Sequence, residues 1–149
     1  MTTDDFDAFF RDAEPRLRRA FACRVAPHAV PDAVGAALEY AWTHWDRVAP
    51  MEFRVAYLFR VGLSRSRRRR EGLLPAPPPA GDVHVEPGLI DAFRRLPTRQ
   101  RDVVWLVDAC GWTPTEAAEA LGLSLSATRT HRSRGLDGLR RHLGVQTDA

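Results

Sequence analysis

Apolar residues recur along this chain at helical intervals. Phe6, Phe10, Leu17 and Phe21 stand at four- and seven-residue steps, with Phe9 beside them. Val34, Leu38, Trp42 and Trp45 form a second stripe, and Val55, Leu58, Phe59 and Leu63 a third. Each pattern gathers its apolar side chains on one side of a helix, so each predicts an amphipathic helix with one buried face. Pro27 and Pro31 bracket the first break and Pro50 marks the second. Three short helices with aromatic faces predict one small core, with Phe6, Phe10, Phe21 and Trp42 inside it.

Residues 71–88 interrupt the pattern with five prolines and three glycines. Such a stretch cannot continue a helix and behaves as a semi-extended spacer. Four further helices are predicted beyond it. Leu89, Ile90 and Phe93 mark the first, which ends before Pro97. Val103, Val104, Leu106 and Val107 fill the second, which stops at Gly111. The third opens with Thr113 as N-cap, Pro114 at the first helical position and Glu116 three residues after the cap. That is a capping box, with the proline placed where its missing N–H costs nothing. Ala117, Ala118 and Leu121 follow, and Gly122 supplies the left-handed C-cap. Ser124 caps a fourth helix that runs to about Leu143, before Gly144. The expected fold is all-α, with a three-helix lobe over residues 1–70, a Pro-rich linker over 71–88 and a four-helix lobe over 89–145.

Charge is unevenly distributed. The net charge is only +3, and all 22 basic side chains are Arg. Residues 1–59 hold seven Arg against nine acids, residues 60–70 hold six Arg and no acid, and residues 129–149 hold five Arg and two Asp. Two basic segments form an electrostatic footprint for a polyanion, and the guanidinium fork pairs with both phosphates and guanine edges. No apolar run approaches the roughly 18 residues a membrane span needs. The acidic opening Met1–Asp5 differs from a secretory leader, so the expected compartment is the cytoplasm. Cys23, Cys110 and the five His lack metal-ligand spacing, so both thiols are expected to be reduced, half-buried packing residues, with no metal and no cofactor. Catalysis needs a convergent nucleophile, base or metal set. His84 and Glu86 lie in the Pro-rich segment and nothing else converges, so the chain does not read as an enzyme.

Residues 113–134 have a helix-turn-helix layout: a short capped helix, a glycine turn, then a longer helix that starts with small polar residues and carries Arg. Ser126, Thr130, Ser133 and Arg134 point away from the stripe of Leu125, Leu136 and Leu139, and Arg129 lies at its edge. On a second helix, this polar face would lie in the DNA major groove, with Thr115 of the first helix beside it.

The order of these features resembles region 4 of bacterial sigma factors. Leu96–Val104 looks like its opening "LPxRQRxVV", and Gly111 to Thr113, Glu116 to Ala118, Leu121 to Ser124 and the Arg-rich tail continue it. Less closely, the first lobe resembles region 2 of the short extracytoplasmic-function type: Phe6 to Leu17, Ala41-Trp42, Trp45 to Arg47, Ala56 to Val61 and the basic end Arg67 to Arg70. The resemblance implies a two-region alternative sigma factor that binds core RNA polymerase and directs promoter-specific initiation, its second lobe on the −35 element and its first on the −10 element. Tyr57 and Arg60, with the loop 48–53, would face the −10 strand. Arg65, Arg67, Arg68, Arg69 and Arg70 would grip phosphates. Asp32, Val34, Leu38 and Glu39 would touch polymerase. An anti-sigma or other regulatory protein is a further expected partner.

Region 2 is divergent. The family's "DxVQExF" run reads Asp32-Ala33-Val34-Gly35-Ala36-Ala37-Leu38, with Gly35 and Ala36 at the Gln and Glu positions. Thr128 and Arg132 stand where the family shows apolar residues, and Arg132 is expected to snorkel toward phosphate. Two other readings stay open. One is a sigma-like regulator or accessory subunit that binds duplex DNA without opening promoters. The other is an interaction module whose lobes clasp a helical regulatory protein.

Overall fold

The computed structural model describes residues 3–66 and 88–144. Every regular element in them is helical. The N-terminal half comprises α1 (Thr3–Phe21), a 3-10 turn at Pro27–Ala29, α2 (Val30–Thr43), the single turn α3 (Trp45–Val48) and α4 (Arg54–Arg65). The C-terminal half comprises α5 (Leu89–Arg95), α6 (Thr98–Val104), α7 (Pro114–Leu121) and α8 (Leu125–Leu143). A π-helical turn, Trp105–Ala109, extends α6, and Gly111 follows with φ 74°. The segment 67–87, with Arg67, Arg68, Arg69, Arg70 and nearly all of the Pro-rich stretch, lies outside the described residues. Among the described residues no helix is long and apolar enough to cross a membrane.

The stripes of α1, α2 and α4 meet as expected, with two corrections. Phe6, Phe9, Leu17, Phe21, Val34, Leu38, Val55, Leu58 and Phe59 are buried in one cluster. Phe10 and Trp42 are not in it; they are 42% and 56% exposed. Both line an open groove between α1 and α2. Phe21 stacks on Phe59 with ring centroids 5.1 Å apart. Gly62 lets α4 approach this pair, since a Cβ there would stand 2.3 Å from Phe21 Cζ.

The two halves share a core. Leu106, Trp112, Ala117 and Ala120 join the cluster built by α1, α2 and α4. Trp112 meets Phe59 edge-on at 5.8 Å, and the Arg16 guanidinium lies 5.6 Å from the Trp112 ring. Polar bonds flank this seam. Arg16 donates to Glu116 Oε2 at 2.7 Å, Arg24 to Asp102 Oδ2 at 2.5 Å, and Trp105 Nε1 to the Arg19 carbonyl at 2.9 Å. Cys23 corrects a further expectation. It is fully buried, in a cluster whose other buried members, Ala92, Phe93, Leu96, Val104 and Leu139, all belong to the C-terminal half. Cys110 is half-buried, and neither cysteine is in a disulfide.

Candidate nucleic-acid interface

Local chemistry fixes the helix-turn-helix. Both capping-box bonds form: Glu116 N–H donates to Thr113 Oγ1 and Thr113 N–H to Glu116 Oε1, each at 3.1 Å. Burial pushes the Glu116 carboxyl up, but its bonds with Arg16 and Thr113 win and hold it below its ordinary value. Gly122 ends α7 at φ 67° and ψ 35°, and Leu123 N–H bonds back to the Ala118 carbonyl at 3.0 Å. Ser124 Oγ then accepts from Ala127 N–H at 3.0 Å to start α8. Arg99 donates to the Leu121 carbonyl at 3.1 Å, tying the end of α7 to α6.

The inner face of α8 differs from the expected leucine stripe. Leu139 is buried, while Leu125 and Leu136 are only half-buried. Close packing comes instead from Gly135 and Gly138. A Cβ at Gly135 would stand 2.6 Å from Val104 Cγ2, and one at Gly138 would stand 2.7 Å from Leu96 Cδ2. Thr128 is fully buried, and its hydroxyl donates to the Ser124 carbonyl at 2.8 Å, so its polarity is satisfied within the helix. Arg132 does not snorkel past the core. Its Nε and Nη2 fork onto Asp108 at 3.0 and 2.7 Å, bracing α8 against the π-helical turn.

The outer face keeps the residues the sequence put there. Ser126, Arg129, Thr130, Ser133 and Arg134 are all exposed, as is Thr115 on the first turn of α7. At about 100° per residue these five positions of α8 fall within one arc of about 140°. Arg129 and Ser133 also line a groove of about 350 Å³ between the start of α7 and the middle of α8, with Pro114 and Arg140. A helix face of this width, carrying two unbraced guanidinium forks and three short hydroxyls, matches what a major groove accepts.

The N-terminal half presents two further surfaces. Tyr57, Arg60 and Arg65 come together in a groove with Tyr40, Val61 and Ser64. The Tyr57 and Tyr40 hydroxyls are 3.0 Å apart, His44 stacks on Tyr40 at 4.3 Å, and Arg65 lies 5.6 Å over the Tyr40 ring. The hydrogen bond to Tyr40 is the main cause that raises the Tyr57 phenol above its ordinary value. Tyr40 was missed in the sequence because it lies off the Val34–Leu38–Trp42 stripe. Its four-residue spacing from His44, which puts two rings on one helix side, was the available signal.

The second surface is an apolar groove of about 520 Å³ between α1 and α2. Buried Val34 and Leu38 form its floor, the exposed rings of Phe10 and Trp42 its walls, and Glu39 its rim. Asp32 is exposed on the first turn of α2 and is not part of that lining. Gly35 faces open space, with no atom within 4 Å of a would-be Cβ.

Comparison with known proteins agrees with this architecture. Residues 88–137 match the family model "Sigma-70, region 4". No curated protein sequence matches the chain. Among solved structures, the sigma factor RpoE of Bartonella quintana, in complex with the anti-sigma factor NepR, is 23% identical. It aligns over 97% of this chain and 100% of its own, with a TM-score of 0.77. CnrH, in complex with the cytosolic domain of CnrY, is 24% identical over 98% of this chain and 92% of its own, with a TM-score of 0.71. Residues 88–137 are therefore similar to region 4 of the sigma-70 family, on a whole-chain fold shared with RpoE and CnrH.

Proposed function

We propose that this chain is an alternative sigma factor that binds core RNA polymerase and directs initiation at a two-part promoter. The observation that carries the reading is the exposed face of α8, with Arg129 and Arg134 free of ion pairs among the described residues and backed by a capped, glycine-packed helix-turn-helix. In this reading Ser126, Arg129, Thr130, Ser133, Arg134 and Thr115 contact the −35 duplex. Tyr57, Arg60 and Arg65 hold the −10 strand, where stacking on an aromatic groove with flanking cations suits single-stranded bases. Tyr40 joins them. Arg67, Arg68, Arg69 and Arg70 contact phosphates, each steepening the salt dependence by about one unit. The domains run over 1–70 and 89–145, with residues 71–88 as linker. Polymerase meets the groove between Phe10 and Trp42, with Val34, Leu38, Glu39 and Asp32. RpoE was captured with an anti-sigma factor and CnrH with the cytosolic domain of CnrY, and an anti-sigma or other regulatory partner is proposed for this chain.

A second reading draws on Gly35 and Ala36. Gly35 on the groove and Ala36 next to it in sequence carry no hydrogen-bonding side chains, which favours a region 4-type regulator that binds duplex DNA without opening promoters. Run-off transcription with sigma-free core polymerase and a genomic promoter library separates the two. Specific transcripts are expected, and DNA binding without core association would establish the second reading instead. The Arg129→Ala, Arg134→Ala double variant is expected to lose about 1–3 kcal/mol of −35 discrimination per fork. Unchanged duplex binding would overturn the groove assignment.

A further inference from the structure

We infer that the groove between Tyr40 and Tyr57 receives a single unpaired base and selects the keto bases thymine and guanine over the amino bases adenine and cytosine. This rests on the −10 role proposed above for Tyr57, Arg60 and Arg65.

The groove measures about 500 Å³, within the range of sites that take one small ligand. Tyr40 comes from α2, and Tyr57, Arg60, Val61, Ser64 and Arg65 come from α4. The Tyr40 ring is already engaged: His44 stacks on it at 4.3 Å, and the Arg65 guanidinium lies 5.6 Å from its centroid. Held in this way, Tyr40 offers its hydroxyl edge rather than a face. Tyr57 is tilted 55° to it with centroids 6.0 Å apart, and its ring is the surface left for a base to stack on.

The polar inventory of the groove is one-sided. Arg60 and Arg65 each bring five N–H donors and no acceptor. The two phenol oxygens are 3.0 Å apart and share one hydrogen, so the other hydrogen is left to donate. That bond raises the Tyr57 phenol above its ordinary value, so Tyr57 keeps its proton at neutral pH. Ser64 adds a hydroxyl, which donates or accepts. Among the described residues no carboxylate or amide side chain lines the groove. The chain has no asparagine, and its two glutamines, Gln100 and Gln146, fall in the C-terminal half.

Base edges divide along the same line. Thymine O4 and guanine O6 and N7 are acceptors, matched to guanidinium and phenol hydrogens. Adenine N6 and cytosine N4 are amino groups, and each would set its hydrogens against those donors. The amides and carboxylates that ordinarily receive such amino groups are missing from this groove.

The test is fluorescence anisotropy of the full chain with short labelled strands of abasic sites, carrying at the centre one thymine, guanine, adenine or cytosine, or no base. With no neighbouring bases, stacking within the strand cannot imitate selection. Thymine and guanine strands are expected to bind about fivefold tighter than adenine, cytosine or wholly abasic strands. Tyr40→Phe keeps the ring and removes its hydroxyl, and is expected to bring the preference below about twofold. Tyr57→Phe keeps the stacking ring, and is expected to do the same; it decides the matter if the first variant misfolds. Equal affinity for all four bases, a preference for adenine or cytosine, or a keto preference untouched by both variants would each overturn the selection. The assay contains no duplex and no polymerase. A chain that fails in run-off transcription but keeps the base preference refutes only the promoter role; one that transcribes but binds all four bases alike refutes only the selection.

Discussion

Gly135→Ala tests whether glycine packing, rather than a leucine stripe, seats α8. Two terms oppose each other. Alanine favours a helix interior over glycine by up to about 1 kcal/mol. Against it, the new methyl would stand 2.6 Å from Val104 Cγ2 and 3.2 Å from the Gln100 carbonyl oxygen. Carbon contacts are comfortable at about 3.5–4.0 Å, so the overlap with Val104 is more than about 0.9 Å. Val104 is buried and β-branched with a stiff χ1, and the carbonyl belongs to α6 itself, so neither yields cheaply. Overpacking of this size costs about 1–3 kcal/mol. The net expectation is a loss of about 1–2 kcal/mol, or a fall in Tm of roughly 2–6 °C for a chain of this length. Thermal melts followed by circular dichroism measure it. Gly35→Ala is the control: it gains the same propensity with no atom within 4 Å of the new methyl, so it is expected to raise Tm by up to about 4 °C. If Gly135→Ala is as stable as the parent while Gly35→Ala is stabilised, the close approach of α8 to α6 is refuted.

Other substitutions probe neighbouring steps. Gly62→Ala places a methyl 2.3 Å from Phe21 Cζ in the Phe21–Phe59 stack and is expected to cost at least about 2 kcal/mol in urea denaturation, with Phe21→Leu as a second-site change restoring part of it. Thr113→Ala removes the cap on α7 and is expected to cost about 1 kcal/mol, read from the same melts. Glu116→Gln keeps the capping acceptor and removes the charge. Because the folded carboxyl titrates below its unfolded value of 4.5, its contribution is present above that pH and is lost as pH falls through the lower folded value. The gap in urea midpoint between Glu116→Gln and the parent is therefore expected at neutral pH and should close in acid; a gap independent of pH would contradict a charge effect.

What the sequence revealed and concealed follows from the range of the interactions involved. The start and stop of α7 were legible because Thr113, Pro114, Glu116 and Gly122 act within four residues of where they stand. The outer face of α8 was legible for the same reason: periodicity alone puts Ser126, Arg129, Thr130, Ser133 and Arg134 on one side. Periodicity says which side of a helix is apolar, not how much of it a neighbour covers, which is why Phe10 and Trp42 read as core and stand exposed. Thr128 and Arg132 looked like defects in an inner stripe because their partners could not be seen there. One is the helix's own Ser124 carbonyl; the other is Asp108, 24 residues away. The seam was invisible, since Arg24 and Asp102 are 78 residues apart and Arg16 and Glu116 are 100 apart, with no local pattern to join them.

The same separation of ranges divides the contacts of the C-terminal half. The bonds that set the local geometry of the helix-turn-helix lie inside the C-terminal half: the Thr113–Glu116 capping box, the Gly122 turn, the Arg99 bond to Leu121, the Gly135 and Gly138 contacts and the Arg132–Asp108 fork, while the buried face of α7 packs against the N-terminal half. Glu116 serves both purposes, but with different oxygens: Oε1 accepts from Thr113 N–H, while Oε2 takes Arg16. Withdrawing Arg16 therefore leaves the cap closed and α7 intact. The buried Asp102, supplied by the same opening motif that builds α6, meets Arg24 through its side-chain Oδ2 and not through the helix backbone. The local geometry of the helix-turn-helix thus rests on bonds within its own half, independent of the two ion pairs at the seam.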